Sequence, residues 1–355
     1  MGKKRLSGGK QKILPRAPVS LKELAAHLNL SPTTVSFVLN DSPLARSIPD
    51  STKKRVIEAA RGLDYHPNPV ARALRAQRTL TLGVMVPELS DGYSAMVLSG
   101  IEDCLLSKGY FYLVVSHRHK DNLIDQYPTL FLRRRVEGII AVDTPFSRDV
   151  PVPVVTVSGN NGLPNITTIK LNHKRAAALA LDHLVGLGHS RIAFIKGQKF
   201  SSDTDERWQA IYKEARRLGL AVSPQLVVQL EGDLPSPELG YGAAKRLLAT
   251  GRQFSALFAF NDISAIGAIR AFREAGLSVP EDVSVLGFDD IYSASFFSPA
   301  LTTIKQPLRE MGRLAAQTIL KRLNGDASER LPKQIVVEPE LVARQSTCQA
   351  NERRR

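Results

Sequence analysis

Residues 20–40 read SLKELAAHLNLSPTTVSFVLN, and their punctuation decides how the first part of the chain folds. Ser20, followed three residues later by Glu23, forms a capping box in which each side chain satisfies a free backbone N–H at a helix start. A helix therefore begins at Leu21. Leu24, Ala25 and Leu28 fall on one face at helical spacing, and Asn29 tolerates the left-handed conformation that ends the helix. Ser31 suits an N-cap and Pro32 the first helical position, where its missing N–H costs nothing. A second helix then runs to about Asn40. Val35, Val38 and Leu39 are expected inward, with Pro32, Thr33, Thr34, Ser36, Phe37 and Asn40 outward or at the start. Two short helices joined by a tight turn, with small polar residues at the second N-terminus, match a helix-turn-helix whose second helix enters the major groove. A plain helical hairpin is the rival reading of this stretch taken alone.

Outward from there, Ile48-Pro49-Asp50 opens a third helix with Val56, Ile57, Ala60 and Leu63 on its apolar face, so three small helices share one core. Asn68-Pro69 caps VARALRAQ, a helix of about two turns and too short to persist alone in water. Charge follows the same division. The formal net charge is +14, and residues 1 to 78 hold 15 Lys/Arg against 5 Asp/Glu while the rest holds 33 against 29. Positive charge concentrated on the helix-turn-helix suits a polyanionic partner. Residues 1 to 18 carry six Lys/Arg and no acid and are expected to be a disordered basic arm.

The segments VSLKELAAHLNLSPTTVSFVLN, GLDYHPNPVARALR and LTLGVMVP resemble the lactose/galactose repressor family of bacterial transcription factors. LDHLVGLGHSRIAFIKG, DERWQAIYKEA, FAFNDISAIGAIRAFREAGLSVPEDVSVLGFDDI and SPALTTIKQP are similar to that family's effector-binding core, so the likeness spans about residues 19 to 345 in the family's order. The resemblance implies a homodimer on a pseudo-palindromic operator. Ser20, Leu21, Ser31, Pro32, Thr33, Thr34, Ser36, Phe37 and Asn40 would meet the duplex, Tyr65 and Asn68 its backbone, and Leu74 would wedge into the minor groove from paired hinge helices. Phe37 stands where family members usually carry arginine. The loop 41–47, with Arg46, is about three residues longer than in the family's shortest members.

From Leu80 onward, apolar runs of strand length alternate with amphipathic helices. LTLGVMV, YFYLVV, GIIAV, VPVVTV, RIAFI, ALFAF and VSVLGF are the strand candidates, an alternation that specifies doubly wound parallel sheets. The units are too many for one sheet, so two similar subdomains are expected behind an all-α head. The resemblance implies a core of the periplasmic-binding-protein type in which the chain crosses between subdomains three times, near Asn172, Thr303 and Leu331. The expected organisation is an arm at 1–18, a head at 19–67, a hinge and linker at 68–79, a core at 80–345 and a tail at 346–355. Within the core, the N-subdomain takes about 80–172 and 304–330, the C-subdomain about 173–303 and 331–345.

Ligands of such sheets bind beyond the carboxyl ends of strands. The residues there are polar: Tyr93-Ser94, Ser158, Arg207, Asn261-Asp262 and Asp289-Asp290. Carboxylates, amides and an arginine fork suit a hydroxyl-rich or anionic small molecule, although Ser94 and Asp262 serve equally well as helix caps. For Arg207 and Asp289, the resemblance implies effector contact. Leu234 replaces an aromatic that members often carry, and Ser158 stands where an acid is common, which leaves the ligand's identity open. Trp208 offers an alternative stacking face or is simply core.

Enzyme chemistry has little support. No GxSxG, HExxH or GxxxxGK[ST] pattern stands in a structured context, and no catalytic, metal or cofactor site is expected. His117 and His119 read as a solvated strand end. Cys104 and Cys348 lack ligand spacing and read as ordinary thiols; with no apolar run of 18 residues and no signal peptide, a cytoplasmic protein without a membrane span is expected. The reading is a DNA-binding regulator, most simply a repressor, that responds to a sugar or related metabolite. Its rivals are a regulator whose core binds a protein or nothing, and a sugar-processing enzyme with a DNA-binding head.

Overall fold

The computed structural model describes residues 19–65, 78–90, 92–146, 149–159, 163, 166–232, 236–325 and 332–351. The arm 1–18, Asn68, the hinge segment with Leu74, Leu234 and the end of the tail lie outside these. Two compact units divide between Thr79 and Leu80.

The first unit holds three helices, α1 (Leu21–Leu28), α2 (Pro32–Leu39) and α3 (Asp50–Gly62). The capping box forms, Ser20 N donating to Glu23 at 2.7 Å and Glu23 N to Ser20 Oγ at 3.2 Å, and Asn29 ends α1 at φ 52°. Leu24, Ala25, Leu28, Val35, Val56 and Ala60 make the buried core. Ile57 departs from expectation: it is 41% exposed, because one residue is a rotation of about 100° on a helix and Val56 already points at the other two helices. The loop after α2 is a short 3-10 turn, Pro43–Ser47, capped by Ser42.

The second unit runs β1 (Thr81–Val86), α4 (Gly92–Ser107), β2 (Phe111–Ser116), α5 (Asp121–Arg133), β3 (Gly138–Val142), β4 (Val154–Val157), β5 (Thr167–Leu171), α6 (His173–Gly186), β6 (Ile192–Lys196) and α7 (Thr204–Arg217). It continues with β7 (Val227–Gln229), α8 (Pro237–Ala249), β8 (Ala256–Phe258), α9 (Asp262–Glu274), β9 (Ser284–Asp289), α10 (Tyr292–Phe296), β10 (Thr302–Lys305), α11 (Leu308–Leu323), β11 (Gln334–Val337) and β12 (Glu340–Val342). These strands build two six-stranded sheets, ordered β11-β5-β4-β3-β1-β2 and β12-β10-β9-β8-β6-β7. All pairings are parallel except that of β12 with β10. The chain passes from the first sheet to the second at Asn172 and returns after β10, at Gln306-Pro307. The last crossing lies at Glu338-Pro339 rather than near Leu331, because Gln334–Val337 still pairs with β5 before the chain leaves.

Candidate functional site

On the head, Ser31 Oγ accepts from Thr34 N at 3.0 Å and meets Thr34 Oγ1 at 2.8 Å. The N-terminus of α2 is thereby fixed with Pro32 and Thr33 exposed and Thr34 and Phe37 half-buried. Phe37 is not part of the head's core. Ser36, expected outward, is instead 8% exposed, since exposed Asn40 folds back over it and donates through Nδ2 to Ser36 O at 2.7 Å and Ser36 Oγ at 3.2 Å. Leu21 and Tyr65 pack partly buried against the head's core, and Ser20 spends its side chain on the cap. The start of α2, with Pro32 and Thr33, remains exposed, with Phe37 half-buried beside it. Pro32 has no N–H and Thr34 N is taken by Ser31 Oγ, so the helix dipole is what favours an anion there.

In the core, the carboxyl ends of both sheets face a cleft of about 70 Å³. Pro87, Tyr93, His119 and Asp143 line it from the first sheet; Gln198, Phe200, Ser201, Asp203, Arg207, Phe260, Asn261 and Asp289 line it from the second. Four residues at or just past strand ends hold left-handed backbone, Asp143 at φ 39°, Ser158 at 61°, Asp289 at 106° and Asp290 at 58°. Such conformations cost about 1–3 kcal/mol each and concentrate at ligand clamps. Asp289 accepts from Gln306 Nε2 at 2.6 Å, while Asp290 turns away to Arg344 at 2.7 Å.

Arg207, 5% exposed, lies with its guanidinium carbon 3.8 Å from the Phe288 ring centroid and 4.4 Å from that of Phe260. Its Nη1 donates to Phe260 O at 2.7 Å and its Nη2 is 3.6 Å from Asp203. Its Nε is buried without a hydrogen-bond partner among the described residues. Burial would raise Asp203, but His173, with Nε2 3.7 Å away, and Arg207 outweigh it and hold the carboxyl below the usual carboxylate range. Asp143 goes the other way. Burial first, then the Asp203 charge, push it up to about 6 against the bonds it accepts from Ser202. Those bonds cross the cleft: Asp143 accepts from Ser202 N at 3.1 Å, from Ser202 Oγ and from Ser201 Oγ at 3.5 Å.

The other sequence candidates separate. Tyr93 lines the cleft and its OH meets Ser158 Oγ at 2.8 Å, whereas buried Ser158 does not line it; burial raises the Tyr93 phenol well above its ordinary value. Ser94 is fully buried and does not line the cleft. Asn261 lines it but also caps α9, accepting from Ser264 N at 2.9 Å. Asp262 is structural, bonded to Thr303 Oγ1 at 2.6 Å and Ile291 N at 2.9 Å. Trp208 is half-buried, packed against the core edge-on to Phe194 at 5.7 Å, and does not line the cleft. His117 is no solvated strand end: it is fully buried against Thr144 at 2.9 Å, and burial lowers it to about 4. His119 lies over Phe200 with ring centroids 3.9 Å apart. Sequence reasoning misses Asp143, Gln198, Phe200 and Asp203; Asp143 directly follows GIIAV, so the strand-end rule is the signal that finds it.

Residues 20–68 match the bacterial regulatory proteins, lacI family, and residues 181–347 match a periplasmic binding protein-like domain. The HTH-type transcriptional repressor PurR of Aliivibrio fischeri (strain MJ11) is 32% identical over 336 residues, which span 92% of this chain and 98% of that protein. The chain belongs to the LacI family. Among solved members, the Lac repressor dimer bound to operator and the anti-inducer ONPF has a TM-score of 0.83 at 28% identity, covering 94% of this chain and 100% of that one. The transcriptional regulator CelR in complex with cellobiose has a TM-score of 0.68 at 26% identity, covering 92% and 99%. As a LacI-family member the chain is a DNA-binding transcriptional repressor with an effector-binding core, not an enzyme. No helix among the described residues is long and apolar enough to cross a membrane.

Proposed function

We propose that this regulator binds a pseudo-palindromic operator as a homodimer in the cytoplasm, and that a hydroxyl-rich metabolite, a sugar or a derivative of one, enters the cleft and alters operator affinity. The observation that carries the effector reading is Arg207: a cleft-lining guanidinium packed on two aromatic faces, whose buried Nε has no hydrogen-bond partner among the described residues. Buried donors in native proteins are satisfied, and a ligand oxygen would satisfy this one. Asp289 and Asn261 beside it supply acceptors for hydroxyls. The lining carries three carboxylates against one guanidinium, a balance that favours hydroxyls over the phosphate or carboxylate Arg207 alone would suit. The cellobiose in the related CelR structure agrees with a sugar.

The cleft's 70 Å³ is small beside the ~300–1,000 Å³ of ligand pockets, so entry requires the walls to part, and a ligand that prefers one separation shifts that equilibrium. The homodimer reading is supported by the Lac repressor dimer and by the core's exposed Tyr292 and Phe296, 70% and 89% accessible. Asn68 and Leu74 keep their proposed backbone and wedge roles from the sequence.

Truncating a charged partner in a desolvated site costs about 1.5–3 kcal/mol, more than tenfold in affinity. Arg207→Ala and Asp289→Ala should each abolish effector response and leave operator binding intact. Genome-wide mapping of bound sites supplies both operator and, through neighbouring genes, the ligands to titrate in gel shifts. A normal response in either variant removes that residue from the site, and lost DNA binding makes it structural.

A further inference from the structure

The chain arrives from the head at one edge of the first sheet. There Leu80 O accepts from Phe111 N, Leu80 N donates to Glu137 Oε1 and Glu137 N donates to Thr81 O, each at 2.8 Å, so the starts of β2 and β3 flank the point of entry. Every parallel strand of the sheet begins at this edge, and each helix that leads into one must end there. The residues at those ends are basic. Lys108 follows α4, Arg133, Arg134 and Arg135 close α5, and Lys333 precedes β11, where its carbonyl accepts from Thr168 N at 2.9 Å. All five are exposed.

Basic residues in a helix's last turn complement its dipole, and that alone accounts for one per helix. It does not account for Arg134 and Arg135, past the end of α5, or for Lys333. In the second sheet three of the arginines near helix ends are spent within the fold, although Arg216 beside them is exposed. Arg217 pairs with Glu214 at 2.6 Å and Asp182 at 3.1 Å, Arg246 donates to Gln229 O at 2.8 Å, and Arg273 to Ser298 O at 2.6 Å. Lys108, Arg133, Arg134 and Lys333 form no ion pair among the described residues. Among the described residues the acids near this edge include Glu137, whose carboxylate takes the Leu80 N–H, Glu102, which accepts from Tyr112 at 2.7 Å, and Asp149.

We infer that this edge is a second, sequence-independent DNA contact, in which Lys108, Arg133, Arg134 and Lys333 attract the phosphates of duplex flanking the operator. Residues 66–79 tether the edge to the head over at most about 50 Å, which leaves duplex flanking an operator within its reach. Their charge is unpaired among the described residues, and a polyanion is the partner that matches a predominantly basic edge.

The test uses the full chain, an operator selected from a randomised library, and two duplexes carrying it, one of about 20 base pairs and one of about 60. Each phosphate contact contributes about 0.9 to the slope of log affinity against log salt. Arg133→Ala/Arg134→Ala should therefore bind the long duplex several-fold more weakly at low salt, with a slope shallower by about 1 to 2, and bind the short duplex normally. Arg133→Lys/Arg134→Lys should keep the wild-type slope. Equal loss on both duplexes, or no loss on either, overturns the inference; an unchanged melting temperature excludes misfolding. Failure of the wild type to select any operator would instead count against the helix-turn-helix reading.

Discussion

Phe37 concentrates the recognition problem in one side chain. It lies half-buried on α2, two residues past Val35 in the head's core, yet outside that core, which favours a role at the surface over one in packing. A phenyl ring has no donor and reads apolar surface such as a thymine methyl, whereas arginine at this position would read guanine bidentately. The base pair facing Phe37 is therefore expected to be A·T or weakly specified. Phe37→Arg should install a G·C preference worth about 1–3 kcal/mol, read out by selection from a randomised operator library. An unaltered logo would sink the assignment. Ser36 teaches the converse. The helical period alone puts it outward, but the period says nothing of Asn40 bending back to cover it.

Between elements, the closest approaches are made by glycines that a propensity scale would penalise. A Cβ on Gly100 of α4 would stand 1.8 Å from Arg309 O, and one on Gly312 of α11 2.0 Å from Val97 O, so these helices touch backbone to backbone. Gly100→Ala should lower stability by a few kcal/mol through forced separation of the pair. Gly242→Ala, on α8 with nothing within 4 Å, should be neutral or stabilising by about 0.5–1 kcal/mol. Urea midpoints separate the two; similar midpoints would mean that α4 and α11 yield easily. The elements most legible in the sequence are those with apolar runs, and GIIAV is β3 to the residue. TTIKL and TTIK are not legible as strands although they lie inside the sheets. Their polar threonines are buried only because partners from elsewhere satisfy them, Thr168 by Thr156 at 2.9 Å and Thr303 by Asp262 at 2.6 Å. For the cleft, the strand-end rule locates Tyr93, Arg207, Asn261 and Asp289. Phe200 and Asp203 sit deeper in a loop, and which wall they oppose is a property of the three crossings, not of local pattern.

Across the whole core, the two sheets are held together at the cleft by contacts that no single sheet contains: Asp143 with Ser201 and Ser202, His119 over Phe200, and Lys170 with Glu206 at 2.6 Å. Asp143 makes this junction proton-sensitive. Tyr93 and His119 flank it from its own sheet, Asp203 and Arg207 from the other, and burial with the Asp203 charge lifts it from 3.8 to about 6. A carboxyl raised on closure contributes most below its unperturbed value, and the contribution is lost as pH rises through about 6, because the ionised form must then be buried beside a second carboxylate. Asp262, raised by burial to about 7, acts in the same sense but equally in both proteins of a comparison. Asp143→Asn, which keeps an acceptor for Ser202 N, should accordingly be more stable than wild type at pH 8 by about 1–2 kcal/mol, with the gap shrinking below pH 6 and closing towards pH 4. Paired thermal melts from pH 4.5 to 8 measure that gap, and a gap that does not change with pH would remove Asp143 as the proton-linked contact between the sheets.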